Sequence, residues 1–230
     1  NQITDRIVAG VALNVATDKA TVTGGGFTQS NAYQGSVYGQ YAVDPNWYVN
    51  GEAGFGWQHY STARVVTLLS TNVNNGNFDG QSYRLYGETG YTLHPAFLPQ
   101  TRVTPYLGLG YLHVHTDGFT ETGSATALNV QAMDPNSFAM SLGARVATVL
   151  QIGSTVFRPE LRAAWQHELL DEAGTVRATF AVAPGSPVFT STGSGFGSDS
   201  FLGGAGITTT ITSSTQIFLD YDAKVTGGYT

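Results

Sequence analysis

His113 and His115, in the run His-Val-His, form the pair whose type and spacing most resemble chemistry. On a strand they share one face, which is the start of a metal site. Zinc takes three or four protein ligands, and no third ligand follows at usable spacing where this strand runs into a loop. A hydrolytic site needs a Ser nucleophile within reach of a His and an orienting group. Serines and histidines are both present, yet no Gly-x-Ser-x-Gly occurs and no pairing stands out. Phosphate-loop and dinucleotide fingerprints in their strand-to-helix context are absent as well. The sequence therefore predicts no enzyme, no metal site and no cofactor.

Charges gathered on one side of a wall are more prominent. From Trp47 to Gln58, one face carries Trp47, Val49, Ala53, Phe55 and Trp57, and the other Asn50, Glu52, Gly54, Gly56 and Gln58. Phe157 to Glu168 repeats the pattern, with Phe157, Pro159, Leu161, Ala163 and Trp165 opposite Arg158, Glu160, Arg162, Gln166 and Glu168. Successive side chains of a strand point to opposite faces, and so many charged and amide groups cannot sit in a dry core. One face must meet water and the other something apolar.

Extended along the chain, this reading predicts an inner, pore-lining set: Glu52, Arg84, Glu88, Arg102, Arg145, Arg158, Glu160, Arg162, Glu168, Arg177 and Asp220. These residues either hold a polar segment in a water-filled channel or hydrate the wall and pair across strands. Glycines recur on the same face at Gly54, Gly56, Gly90, Gly108, Gly110, Gly143, Gly204 and Gly206. Close approach of another backbone, such as a helix inside, accounts for them, and so do strand bending and taper. Trp47, Tyr48, Trp57, Tyr91, Tyr111, Trp165 and Tyr221 fall near strand ends, as in an interfacial girdle, and Phe55 is lipid-facing.

Composition bounds the elements that must position these groups. The chain has 230 residues, 16 acidic against 10 basic, a net charge of −6, no cysteine, and only 11% charged residues. Soluble domains carry about 25% charged residues, so such a chain would struggle to cover its surface in water. The apolar and aromatic content excludes disorder, the missing cysteines exclude a disulfide framework, and so few Lys and Arg argue against nucleic acid. No apolar run is long enough for a membrane helix. A mean hydropathy of −0.06 is compatible with a barrel, whose lipid and lumen faces cancel.

Eleven strands are expected, centred on 6–15, 33–43, 47–60, 81–93, 101–115, 124–132, 137–150, 156–168, 175–183, 200–212 and 215–222. Tight turns fall at 44–46, 134–136, 171–174 and 213–214, with a longer connection at 94–100; polar loops occupy 16–31, 61–80, 116–123 and 184–199. Short turns at one end and long loops at the other mark an outer-membrane barrel. The join at 151–155 is short where a long loop is expected. No compositional break interrupts the chain, so residues 1–230 read as one domain.

Arg158 to Glu168 (RPELRAAWQHE), Ser200 to Ile207 (SFLGGAGI) and Ile217 to Asp222 (IFLDYD) resemble the translocator (β) domain of bacterial autotransporters, the outer-membrane barrel of type V secretion. Ala9 to Leu13 and Pro105 to Tyr111 are similar to that family as well, so the likeness extends over nearly the whole chain. The resemblance implies an all-β fold, a single antiparallel transmembrane barrel of twelve strands in the outer membrane of a Gram-negative bacterium. It also implies export of an N-terminal passenger with a linker helix threading the lumen. Family members end in a strand closing on an aromatic residue read by the barrel-assembly machinery, whereas this chain ends Gly228-Tyr229-Thr230. Eleven strands here and one missing terminal strand would make twelve. The implied partners are outer-membrane lipids, the chain's own passenger and linker, and that machinery. Two alternatives stand beside export: a porin-type channel for small solutes, and a structural or adhesive protein acting through its long loops.

Overall fold

Alternation this regular builds a ladder, because each strand satisfies its backbone groups only against a neighbour. In a computed structural model, residues 2–22, 24–67, 70–153, 155–170, 174–183, 185–193, 198–212 and 215–226 are described. They contain strands and no helix. In chain order the strands are β1 (Gln2–Thr4), β2 (Ile7–Val22), β3 (Gly26–Ala42), β4 (Trp47–Thr67) and β5 (Thr71–Tyr91). Then follow β6 (Thr101–Thr116), β7 (Phe119–Thr120), β8 (Leu128–Val130), β9 (Asn136–Thr148) and β10 (Leu150–Ile152). The last are β11 (Thr155–Glu168), β12 (Thr175–Phe180), β13 (Phe189–Thr192), β14 (Asp199–Thr212) and β15 (Thr215–Thr226).

The nine long strands form one antiparallel meander, β2-β3-β4-β5-β6-β9-β11-β14-β15, with the short β1 and β10 pairing β2 and β11. The sheet curls about a single cavity, to which all nine contribute: Ala12, Gln34, Glu52, Arg84, Tyr106, Ser141, Ala164, Leu202 and Lys224 all line it. Among the described residues its end strands β2 and β15 are not paired with each other. Buried apolar side chains among these residues are Val130 and small alanines, so no layer of large residues forms a core. Large side chains face outward instead: Leu142 is 56% and Leu161 63% exposed. A continuous apolar exterior of this kind fits lipid as the solvent.

Two expected strands belong elsewhere. Segments 124–132 and 175–183 contribute β8 and β12 to a separate four-stranded sheet, β13-β12-β8-β7, built from the two longest connections. They alternate as wall strands do, but the strands they form, three residues in β8 and six in β12, are too short to cross a bilayer, which takes about 9–11 residues. Removing them from the wall places the β9–β11 join at the same end as 43–46 and 92–100; the expected turns at 171–173 and 213–214 lie outside the described residues. Its shortness is then the rule for that end. Segments 16–22, 26–31, 61–67 and 71–80, expected as loops, instead continue the ladders of β2 to β5.

On β4, Trp47 and Trp57 are ten residues apart. At roughly 3.3 Å per residue and a tilt of about 40°, that spans roughly 25 Å, the height of a barrel's apolar band. The ten residues from 58 to 67 stand beyond the second tryptophan. The β4–β5 ladder therefore continues ten residues past that span on the end that carries the long loops.

Candidate functional site

Register decides which side chains meet at the cavity. Starting from Glu52, cross-strand partners run Tyr38 and Gly10 in one direction and Tyr86 and Gly110 in the other. Gly110 continues to Ala139 and Glu168. Counting by twos along each strand puts Glu52, Arg84, Glu88, Arg102, Arg145, Arg158, Glu160, Arg162, Glu168 and Asp220 on this one face of the sheet. Val49, Phe55, Leu107, Leu109, Leu142, Leu161 and Leu219 lie on the opposite face by the same count. The cavity has a volume of about 810 Å³, and Glu52, Arg84, Glu88 and Arg145 are among its lining residues.

The charges are organised in two clusters. Glu88, whose side chain is 1% exposed, accepts from Arg145 Nη1 and Nη2 at 2.8 Å each. Tyr48 Oη and Tyr86 Oη donate to the same carboxylate, each at 2.7 Å. Arg145 also donates to Tyr48 Oη at 2.6 Å and lies over the Tyr106 ring, 4.1 Å from its centroid. A forked guanidinium–carboxylate pair with every strong acceptor satisfied is the geometry in which a buried charge is tolerable. In the second cluster, Arg162 Nη1 donates to Asp220 at 2.9 Å and to Glu160 at 3.2 Å, and Nη2 donates to Asp222 at 2.9 Å.

Glycines on this face hold those groups flat against the wall. A Cβ built on Gly90 would lie 2.5 Å from Tyr48 Oη, one on Gly108 2.7 Å from Tyr86 Oη, and one on Gly143 2.6 Å from the Tyr106 ring. Gly204 and Gly206 lie beneath Arg162, Asp220 and Asp222. The glycines here are covered by the chain's own tyrosine rings and ion pairs, which accounts for them without another backbone.

The other expected residues are placed as follows. Arg158 donates to Thr210 Oγ1 at 3.1 Å, and Glu168 accepts from Ser137 Oγ at 2.7 Å and the Phe138 amide at 2.6 Å. Glu52 and Arg84 face the cavity with no ion pair among the described residues, and Arg102 is exposed near the start of β6. Arg177 is a correction: it lies on β12 in the small sheet, opposite Thr190, and not on the wall. Tyr48 is a second correction, since even parity on β4 turns it inward onto Glu88 and away from the girdle.

On the outer face, Trp47 Nε1 donates to Thr89 at 2.7 Å across from Tyr91, and Trp57 stacks on Tyr33 at 6.1 Å. Phe55 packs against Tyr83 at 5.3 Å. Trp165 donates to Asp199 at 2.8 Å, Tyr111 to Asn136 at 2.8 Å, and Tyr221 is 72% exposed. His113 lies against Asn136, and His115 between Asp117 and Asp134. Sequence reasoning overlooked Tyr48, Tyr86 and Tyr106 as inner-wall residues; counting by twos from Glu52 reaches the first, and the ladders reach the others.

An antiparallel sheet curled round a charged cavity, with an apolar exterior, defines an outer-membrane β-barrel protein. Residues 1–222 match the family model of the autotransporter beta-domain, and the chain belongs to that family. Its place is the outer membrane of a Gram-negative bacterium. The fold is similar to the translocator domain of the autotransporter NalP from Neisseria meningitidis, with a TM-score of 0.75 and 13% identity over 97% of this chain and 70% of that one. It is also similar to the beta domain of the Bordetella autotransporter BrkA, with a TM-score of 0.65 and 14% identity over 96% of this chain and 77% of that one. In sequence it is 29% identical to outer membrane protein A of Rickettsia rickettsii over 159 residues, 65% of this chain and 7% of the relative. It is 28% identical to outer membrane protein A of Rickettsia conorii over 158 residues. The chain thus spans only about 7–8% of the length of these curated relatives.

Proposed function

We propose that residues 1–230 act as one barrel domain that anchors an N-terminal passenger in the outer membrane and helps export it to the cell surface. The cavity face serves as the hydrated passage. Membership of the autotransporter beta-domain family supports this reading. The observation that carries it is the single polar face shared by nine strands, on which Glu52 and Arg84 are left without ion-pair partners among the described residues. Free charges of both signs in a narrow wet space suit a polar polypeptide segment. The set Glu52, Arg84, Glu88, Arg102, Arg145, Arg158, Glu160, Arg162, Glu168 and Asp220 lines this passage, and the outer aromatics seat it in lipid. Its work is physical, with no covalent step, and its assembly proceeds through the barrel-assembly machinery. A planar-bilayer measurement on the full-length protein tests the reading. With the segment preceding the barrel in place, conductance is expected to be low, and deleting that segment is expected to raise it severalfold. High conductance unchanged by the deletion would overturn export in favour of a porin-type channel.

A further inference from the structure

The part of the β4–β5 hairpin beyond that span carries inner-face residues that the passage itself does not use. The parity of Glu52 continues through Tyr60 and Arg64 on β4, opposite Phe78 and Asn74 on β5. Segment 117–135 is pinned to the wall edges where Thr122 pairs with Asn75 on β5 and Met133 with Thr116 on β6, and between them its residues 119–128 fold over this face. Arg64 Nε donates to Glu121 Oε1 at 2.9 Å and Nη2 to Oε2 at 2.5 Å, while Nη2 also donates to the Thr126 carbonyl at 2.8 Å. The Glu121 side chain is 4% exposed and accepts from the Leu128 amide at 2.9 Å. Asn74, wholly buried, donates to Thr126 Oγ1 at 2.9 Å and accepts from the Ser124 amide at 3.0 Å. Phe119 covers Gly76 and stacks on Phe78 at 4.4 Å, which stacks on Tyr60 at 4.8 Å. Gly123, at φ +140°, takes the segment past Val73 where a side chain would strike that residue's carbonyl.

We propose that segment 117–135 is a fixed collar inside the outer mouth, narrowing the exit so that extended polypeptide and small solutes pass and bulky molecules do not. An unpaired Glu121 at this depth would be strongly unfavourable, so the ion pair, the asparagine clasp and the aromatic stack hold the segment in place as a constriction and not as a swinging gate. The small sheet, joined through β8 to β12, ties β12 and β13 to the same collar. The inference rests on the export reading in one respect, that the long-loop end faces outside.

The test uses the full-length protein displayed on intact cells. A reporter, Ser82→Cys, sits on the cavity wall below the collar, in a domain with no cysteine of its own. A control, Ser70→Cys, sits exposed at the hairpin tip. A bulky, membrane-impermeant maleimide–polyethylene glycol is expected to label Ser82→Cys slowly in the parent and severalfold faster with Glu121→Ala or Asn74→Ala. The exchange Arg64→Glu with Glu121→Arg should restore slow labelling, and a small maleimide should label at the same rate throughout. Heat-dependent gel mobility confirms that each variant is folded. Equal rates with the bulky reagent in parent and released variants would overturn the collar. A folded protein whose Ser70→Cys control stays unlabelled would instead overturn the orientation taken from the export reading.

Discussion

Glu88→Ala is the perturbation that most sharply probes the inner wall. It removes the acceptor of two bonds from Arg145 and one each from Tyr48 and Tyr86. Breaking a buried pair from one side costs about 3–5 kcal/mol. Arg145, however, is 29% exposed, so water in the cavity can resolvate part of its charge. The expected loss is therefore about 2–4 kcal/mol, shifted below that range by the partial exposure. Arg145→Met should cost a similar amount, because it strands the carboxylate. The double variant Glu88→Ala with Arg145→Met should recover about half of the summed losses, since both desolvated charges leave together. Full-length variants extracted from membranes and titrated with urea, with folding followed by tryptophan fluorescence and gel mobility, give the values. A loss below about 1 kcal/mol for Glu88→Ala, or strict additivity in the double variant, would refute the claim that this cluster is a desolvated unit.

Three further outcomes follow from the same geometry. Gly143→Val should cost about 1–3 kcal/mol by displacing the Tyr106 ring, whereas Gly203→Ala, with open space at its Cβ, should be near neutral in the same titration. Leu109→Arg and Leu142→Arg, on the outer face, should each cost about 2–4 kcal/mol near the bilayer midplane when refolded into vesicles. Gln34→Arg on the cavity face should be much milder, and equal losses for the two faces would show the faces to be misassigned. Arg162→Ala should raise the salt sensitivity of unfolding by leaving Glu160, Asp220 and Asp222 crowded on one patch, an effect absent in Arg158→Ala.

The faces of the wall were legible because the lipid-crossing stretches alternate cleanly, as between Trp47 and Trp57, and a strand's period of two then assigns every neighbour. Strand ends were not. Thr62, Arg64, Asn74 and Gly76 sit in a ladder where polar residues are mixed into both faces, so the clean alternation is lost although the backbone pairing continues. The small outer sheet misled for the opposite reason: 175–183 alternates as a wall strand does and is long enough to cross, and only the pairing shows that its strand ends at Phe180. Individual charges such as Glu88 could be put on a face. That Glu88 is clasped by Tyr48 and Arg145 from other strands depends on long-range register, which no local pattern in the sequence carries.

The unbroken ladders also bear on how such a domain can change. Among the described residues, pairings from β2 through β14 run without a slip, and irregularities are confined to the β1–β2 and β14–β15 pairs. One parity therefore governs the whole wall. Losing or gaining a single residue within a wall strand, for instance at Gly110, would turn every later side chain of that strand to the wrong solvent, moving Tyr111 to the cavity and Leu112 to the lipid. Substitutions can accumulate along the strands, but length variation is admissible only at the two rims. Chains descended from this one should consequently diverge in sequence across the wall while differing in length almost entirely at the turns and at the two long connections.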